Sequence, residues 1–299
     1  MDFDREHDAL VRAAAFAWLD QLEAVHGDVL PWSALRGGFP FRGERVHVVS
    51  PQGIFTPRIL QAPLSIRTSH DGPYDDELGP SGLVRYMHRG EDPAHRDNKG
   101  LRLAMEQGLP LVYFVAIAKG RYQALRPAHV ARESRRDLCF WIDPTGAGSA
   151  FAFRDAPDIR AYATTQALQR LHQGRFRERV LDAYRERCAF CSLRRRELLD
   201  AAHIIPDSEP GGVAEVRNGI ALCRLHHATF DRHVVGVRPR DHVITVRRDV
   251  MDEEDGPTLR YAIQGLDGKP MALPRRAGDR PEQGFLETRY RRFLAVAPP

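Results

Sequence analysis

The stretch "CAFCSLRRRELLDAAHIIPD", residues 188–207, decides how the C-terminal part of the chain folds. A Cys-x-x-Cys pair precedes a histidine held between two short apolar runs. Downstream, "NGIALCRLHHATFDRH", residues 218–233, adds a Cys-x-x-His pair, Cys223 and His226. Zinc takes four nitrogen or sulfur ligands in a tetrahedron, and two close pairs on separate turns meet that demand. Cys188, Cys191, Cys223 and His226 are therefore expected to hold one structural zinc. The alternative is chance spacing of buried thiols, which both pairs together argue against. Cys139, flanked by Phe140 and Trp141, reads as a core residue.

Two further histidines fall outside the quartet. In "LLDAAHIIP" His203 closes a strand-like run just before Pro206, which puts it at a strand end near a turn. His227 and Asp231 are four residues apart and share one face of a helix. A strand histidine opposite an imidazole–carboxylate pair makes a site for a hard divalent cation with a general base beside it. Two sites are expected here, one structural and one catalytic.

The region 188–232 resembles the HNH nuclease family (the ββα-metal fold), especially its zinc-stapled, McrA-like bacterial members. The matching residues are Cys188-x-x-Cys191, Ala202-His203-Ile204-Ile205-Pro206, Asn218-Gly219, and Cys223-x-x-His226-His227 followed by Asp231. The resemblance implies a metal-dependent endodeoxyribonuclease. His203 would deprotonate the attacking water, a task suited to an imidazole. Asn218 would fix the hairpin loop and orient that base. His227 would bind one divalent ion, Mg²⁺ or Mn²⁺. Many members carry aspartate immediately before the catalytic histidine, where this chain has Ala202. Asp231 or Asp200 must then complete the metal shell.

Working outward, 299 residues suffice for two domains with separate cores. Hydrophobic content of 42% against 28% charge describes a globular chain and excludes a disordered one. No run approaches the roughly 18 apolar residues of a membrane span. The opening "MDFDREHDALVRAAAFAWLDQLEAVHG" reads as an amphipathic helix and not as a leader, so a reduced, cytoplasmic protein is expected. The net charge of +4 permits a polyanionic partner without requiring one.

The overall expectation is an α+β chain: an N-terminal curved β-sheet or barrel domain and a C-terminal zinc-stapled ββα-metal domain. The boundaries read as 1–155 for recognition, 156–187 for an Arg-rich helical linker, 188–250 for the nuclease, and 251–299 for an extension packed on it. That extension reads as a strand, a turn-rich stretch and a closing helix. In the first domain "DNKGLRLAMEQG" is a helix with Asp97 or Asn98 as N-cap, set among mostly antiparallel strands. Residues 160–196 carry ten arginines against Glu178, Asp182 and Glu186. They read either as a solvated helix face or as phosphate contacts, Arg175 and Arg177 among them.

The order of domains, "LVYFVAIAKGRYQALRP" and "PYDDE" resemble restriction endonucleases that join a PUA-like (SRA, EVE or ASCH-type) domain to an HNH domain. That resemblance implies double-stranded DNA with a modified base, commonly a modified cytosine, as the partner. Trp32, Tyr74 and Tyr86 could stack on an extruded base. Asp75, Asp76, Asp97 and Asn98 could read its edge, and Arg85 and Arg89 could hold phosphates. The plainer reading makes "YDDE" and "EDP" surface turns and Tyr86 a core residue. Two other functions stay open: a nuclease directed to particular sequences or damage in unmodified DNA, and a zinc-stabilised DNA-binding regulator without catalysis. Double-strand cleavage by one site per chain calls for a homodimer or successive nicks.

Overall fold

The structure is a computed structural model that describes residues 3–68, 83–145 and 157–296. The chain divides into two compact units, Met1–Gly174 and Arg175–Pro299. Helix α1 (Arg5–His26) starts where the Asp4 carboxylate accepts the His7 N–H at 2.9 Å, satisfying a first-turn amide. Its residues Val11, Ala15 and Leu19, four apart, form the buried stripe. Arg12 is buried on the same helix beside Asp8, and it donates to the carbonyls of Pro63 at 2.9 Å and Pro110 at 2.7 Å. The pair is tolerated inside because its hydrogen bonds are made.

After α1 come β1 (Val29–Pro31), the short helix α2 (Trp32–Leu35), and a hairpin of β2 (Phe39–Phe41) and β3 (Glu44–Val46). The remaining strands are β4 (Ile54–Phe55), β5 (Ser65–Arg67), β6 (Val84–Met87), β7 (Leu111–Ala118), β8 (Arg121–Ser134) and β9 (Cys139–Asp143), with helix α3 (Arg96–Gln107) before β7. Among the described residues seven strands form one sheet in the order β4-β5-β7-β8-β9-β6, with β1 also on β8. All pairings are antiparallel except β5 with β7. Strand β8 pairs with β7 through Ala128 and with β9 from His129 onward, so the sheet curls into a half-barrel along this one long strand.

Strand β7 shows why the sequence permits this. Leu111, Tyr113, Val115 and Ile117 enter one core with Leu101 and Ala104 of α3. Val112, Phe114 and Ala116 enter another with Val11, Ala15 and Leu19 of α1. Alternation sends successive side chains to opposite faces, and both faces are covered. Cys139 is buried in β9.

The start of α3 differs from expectation. His95 is the N-cap, its Nδ1 accepting the Asp97 N–H at 3.2 Å, and Asp97 and Asn98 lie inside the first turn. Their side chains are committed to other partners, which leaves the cap to His95.

Helix α4 (Pro157–Ala183) begins in the first unit and ends in the second. Phe176, Val180, Leu181 and Tyr184 fill the second unit's core. There β10 (Leu199–His203) pairs antiparallel with β11 (Gly219–Cys223), and α5 (Arg224–Asp231) follows without a break. A hairpin of β12 (Val235–Val237) and β13 (Ile244–Val246), the short helix α6 (Arg248–Met251), and helix α7 (Gln283–Val296) complete it. A Cβ on Gly236 would lie 2.7 Å from the Phe293 ring, so α7 packs directly on the β12 backbone. The expected strand in the extension is instead a single π-helical turn, Thr258–Ile263.

Among the described residues no helix is long and apolar enough to cross a membrane.

Candidate active site

Two chain reversals assemble the group of Cys188, Cys191, Cys223 and His226. The Cys188 N–H donates to the Leu193 carbonyl at 3.0 Å and the Ser192 N–H to the Cys188 carbonyl at 2.9 Å, closing a tight knuckle that carries Cys188 and Cys191. Cys223 ends β11, and His226 lies in the first turn of α5. The four ligand atoms lie within 4.8 Å of one another. In a zinc tetrahedron with Zn–S near 2.3 Å, ligand atoms stand about 3.8 Å apart, so the group fits. His226 Nδ1 is 3.3 Å from both Cys188 Sγ and Cys223 Sγ. Its Nε2 is 2.8 Å from the Ala262 carbonyl, which fixes the tautomer with the proton on Nε2 and leaves Nδ1 for a metal.

His203 sits at the other end of the same hairpin. Leu199 is opposite Cys223, and His203 is opposite Gly219. The His203 ring stacks on Phe176, with centroids 3.9 Å apart and planes 15° from parallel. Its Nε2 is buried and makes no hydrogen bond within the described residues. Burial pulls the His203 pKa below the ordinary imidazole value; Asp207, the strongest of the neighbouring charges, pulls it back up. The packing under His203 depends on Gly219. A Cβ there would stand 2.4 Å from Val180 Cγ2 and 2.9 Å from Phe176 Cζ, forcing α4 away.

Asn218 is fully buried. Its Nδ2 donates to the carbonyls of Ile205 and Val213, and its Oδ1 accepts the Ile205 N–H, each at 2.9 Å. The backbone adds Ile204 N–H to the Asn218 carbonyl at 2.9 Å. One side chain thus ties both ends of the loop between β10 and β11 to the segment that follows His203.

His227 lies between two carboxylates. Asp200 Oδ2 is 3.3 Å from Nδ1, and Asp231 Oδ2 is 3.2 Å from Nε2. The hydrogen bond with Asp200, then that with Asp231, push its pKa up to about 9. This environment favours positive charge, whether a proton or a metal ion. The carboxylates face opposite ring nitrogens, so His227 can share an ion with Asp231 or with Asp200 but not with both from one nitrogen. The far oxygen of each is held by an arginine from outside the hairpin and α5. Arg177 Nε of α4 is 3.5 Å from Asp200 Oδ1, and an Arg289 terminal nitrogen of α7 is 3.6 Å from Asp231 Oδ1.

Sequence reasoning missed Phe176, Ala262 and Arg289, and it read Arg177 differently. Arg177 also donates to the Leu199 carbonyl at 2.7 Å, so it braces β10. Arg175 is exposed. The spacing Phe176–Val180 on an amphipathic helix was the available signal for a packed face, but not for what it packs against.

The first-domain residues are distributed more widely. Trp32 is 5.6 Å from Tyr122, and the Arg67 guanidinium lies 5.1 Å from the Trp32 ring. The Tyr86 hydroxyl donates to the Arg67 carbonyl at 3.3 Å, and its ring meets Tyr113 edge-on. Trp32 and Tyr86 are therefore linked through Arg67. Arg85 is exposed on β6, on the opposite face from Tyr86. Asp97 is buried beside Arg89 at 3.4 Å and Arg96 at 3.2 Å. Asn98 is fully buried, accepting the Arg89 N–H at 2.8 Å and donating to the Asp92 carbonyl at 2.9 Å. Its amide holds the 89–92 loop. Tyr74, Asp75 and Asp76 lie outside the described residues.

Residues 188–238 match the family model described as "HNH endonuclease". The chain carries an HNH endonuclease domain and is a nuclease by that domain. It matches no curated protein sequence. Among solved structures, one described as "Modification dependent TagI restriction endonuclease" is similar at 15% identity over 78% of this chain and 82% of that chain, with a TM-score of 0.32. A second, "Structure of the Type IV phosphorothioation-dependent restriction endonuclease ScoMcrA", is similar at 16% identity over 59% of this chain and 51% of that one, with a TM-score of 0.23. Likeness of this degree carries no argument about function.

Proposed function

We propose that the protein is a metal-dependent DNA endonuclease whose first unit directs it to double-stranded DNA carrying a modified base, a modified cytosine above all. The observation that carries the nuclease reading is His203, with its ring held on Phe176 and its Nε2 free of any described partner. In this reading Nε2 takes the proton of the attacking water, and a lowered pKa keeps the ring neutral for that task. Asn218 positions the base by holding the backbone on its C-terminal side. His227 and Asp231 hold one divalent cation, with Asp200 as the alternative partner across the ring. Held by these residues, a Mg²⁺ or Mn²⁺ ion would supply the positive charge that phosphodiester hydrolysis requires. Zinc in the Cys188–Cys191–Cys223–His226 group staples the knuckle to α5 and takes no part in the chemistry.

The modified-base reading assigns residues 1–155 to a PUA-like reader, 188–250 to the nuclease and 251–299 to an extension that supports it. Its support is chemical: Trp32 and Tyr86 offer aromatic surfaces around Arg67, the combination that an extruded base requires. Cutting both strands with one site per chain takes a homodimer or two successive nicks. The test is digestion of matched plasmids, with and without modified cytosine, in Mg²⁺ or Mn²⁺. Nicking of the modified plasmid alone is expected. Equal cutting of both would remove the modification reading and leave the nuclease, and no cutting of any DNA would remove both.

A further inference from the structure

The zinc knuckle presents a group of guanidinium ions that neither metal site uses. Arg187 immediately precedes Cys188, and Arg194 follows Leu193, whose carbonyl closes the knuckle. Arg185 sits two residues before Arg187, where the backbone leaves α4 through a positive φ of 55°. Arg275 comes from a distant segment, brought alongside by the Ala272 N–H donating to the Ala189 carbonyl at 2.8 Å. Among the described residues none of these four makes an ion pair or a side-chain hydrogen bond. The neighbouring acids are occupied: Glu178 and Glu186 both pair with Arg196. Arg187 and Arg194 flank the hydrogen bond that closes the knuckle, Arg185 and Arg275 lie on the segments beside it, and none of the four pairs with a carboxylate among the described residues.

We propose that Arg185, Arg187, Arg194 and Arg275 form a docking surface for the phosphate backbone of double-stranded DNA, separate from the site that cuts it. A guanidinium fork matches phosphate oxygens two at a time, and the duplex backbone supplies the counter-charge that these arginines lack. The position suits the same duplex. The knuckle lies at the Cys223 end of the β10–β11 hairpin and His203 at the other, four residues along β10. At about 3.3 Å per residue this is on the order of 13 Å, or roughly four base pairs of duplex axis. The zinc group would then serve binding as well as folding, by keeping the arginines on a rigid turn. This surface rests on the nuclease reading, and the experiment separates the two.

The full-length chain carrying His203→Ala is titrated onto a fluorescent 30-base-pair duplex across a KCl series, with and without Arg187→Gln, Arg194→Gln and Arg275→Gln together. Each phosphate contact removed flattens log K against log [salt] by about 0.9, so the triple variant should lose about 2.7 from the slope and bind at least tenfold more weakly at moderate salt. Zinc content and melting temperature should stay unchanged, and Arg240→Gln, at an exposed site elsewhere in the unit, should leave the slope intact. With His203 present, the triple variant should show a raised KM and an unaltered kcat. An unchanged slope in the triple variant overturns the docking surface while plasmid nicking by the unmutated protein keeps the nuclease reading. A fall in kcat with KM unchanged would also overturn it, since the arginines would then belong to the cutting site.

Discussion

Replacing Asn218 with alanine should loosen the nuclease unit and disable it together. The side chain makes three hydrogen bonds, one to the Ile205 carbonyl and one from the Ile205 N–H, both buried, and one to the half-buried Val213 carbonyl. A buried hydrogen bond contributes about 1 kcal/mol net, and a partner left unsatisfied costs about 1–3 kcal/mol. Alanine leaves two such groups stranded in the buried interior and a third, the Val213 carbonyl, at its half-buried edge. Partial relaxation of the loop offsets part of this, so a loss of about 3–5 kcal/mol is expected. For a unit of this size about 3 °C accompanies each kcal/mol, which gives a fall of roughly 10–15 °C in the melting temperature of the zinc-loaded protein. Below that melt the loop should still be displaced, so plasmid nicking should drop while zinc content stays at one per chain. Calorimetry with elemental analysis reads both. A melt within about 3 °C of wild type, with nicking intact, would refute the idea that this amide holds the catalytic loop.

The other expectations follow from the same geometry. Cys188→Ala, or a strong chelator, should remove the zinc and unfold the second unit, because metal binding energy at such a site is folding energy; near-unchanged circular dichroism after zinc loss would contradict this. Burial lowers the His203 pKa, so the neutral base persists as pH falls to 6.5 and is protonated only below that. The acid limb of kcat/KM should therefore lie under pH 6.5, and a limb centred above it would exclude His203 as the base. Arg289 donates to the Phe230 carbonyl at 2.7 Å and its guanidinium lies 4.6 Å from the Phe230 ring. Arg289→Met should cost about 2 kcal/mol in stability and slow nicking by freeing Asp231, with Arg289→Lys recovering part of both; full activity in the methionine variant would show that α7 does not support the site.

The grouping of the candidate metal and catalytic residues was legible because it is local. Two pairs at fixed spacing and a strand–helix alternation bring Cys188, Cys191, Cys223 and His226 together with little help from the rest of the chain. The supporting groups were not legible, since each arrives from a distant segment with an ordinary-looking side chain. Phe176 is one apolar position on a long helix, and nothing in its spacing says that it meets His203. Arg177 looked like every other arginine in a basic run, yet it braces β10 and Asp200. "TLRYAI" has the composition of a strand, but packing turns it into a helical turn whose Ala262 carbonyl orients His226. In the first unit the two- and three-residue strands β1, β2 and β4 were too short to carry a pattern, whereas strands β5 to β9 followed from apolar runs and turn residues. The start of α3 did not, because Asp97 and Asn98 were drawn to tertiary partners and His95 took the cap.

The central claim is that His203 is the general base of a metal-dependent nuclease, and a nicking time course tests it most directly. Wild type and His203→Ala are compared on a susceptible plasmid in Mn²⁺, at equal zinc content and equal DNA affinity. A positioned general base contributes about 10²–10⁴-fold, so the variant should lose at least 100-fold in rate while its fold and DNA binding persist. Cleavage by His203→Ala at the wild-type rate would contradict the account.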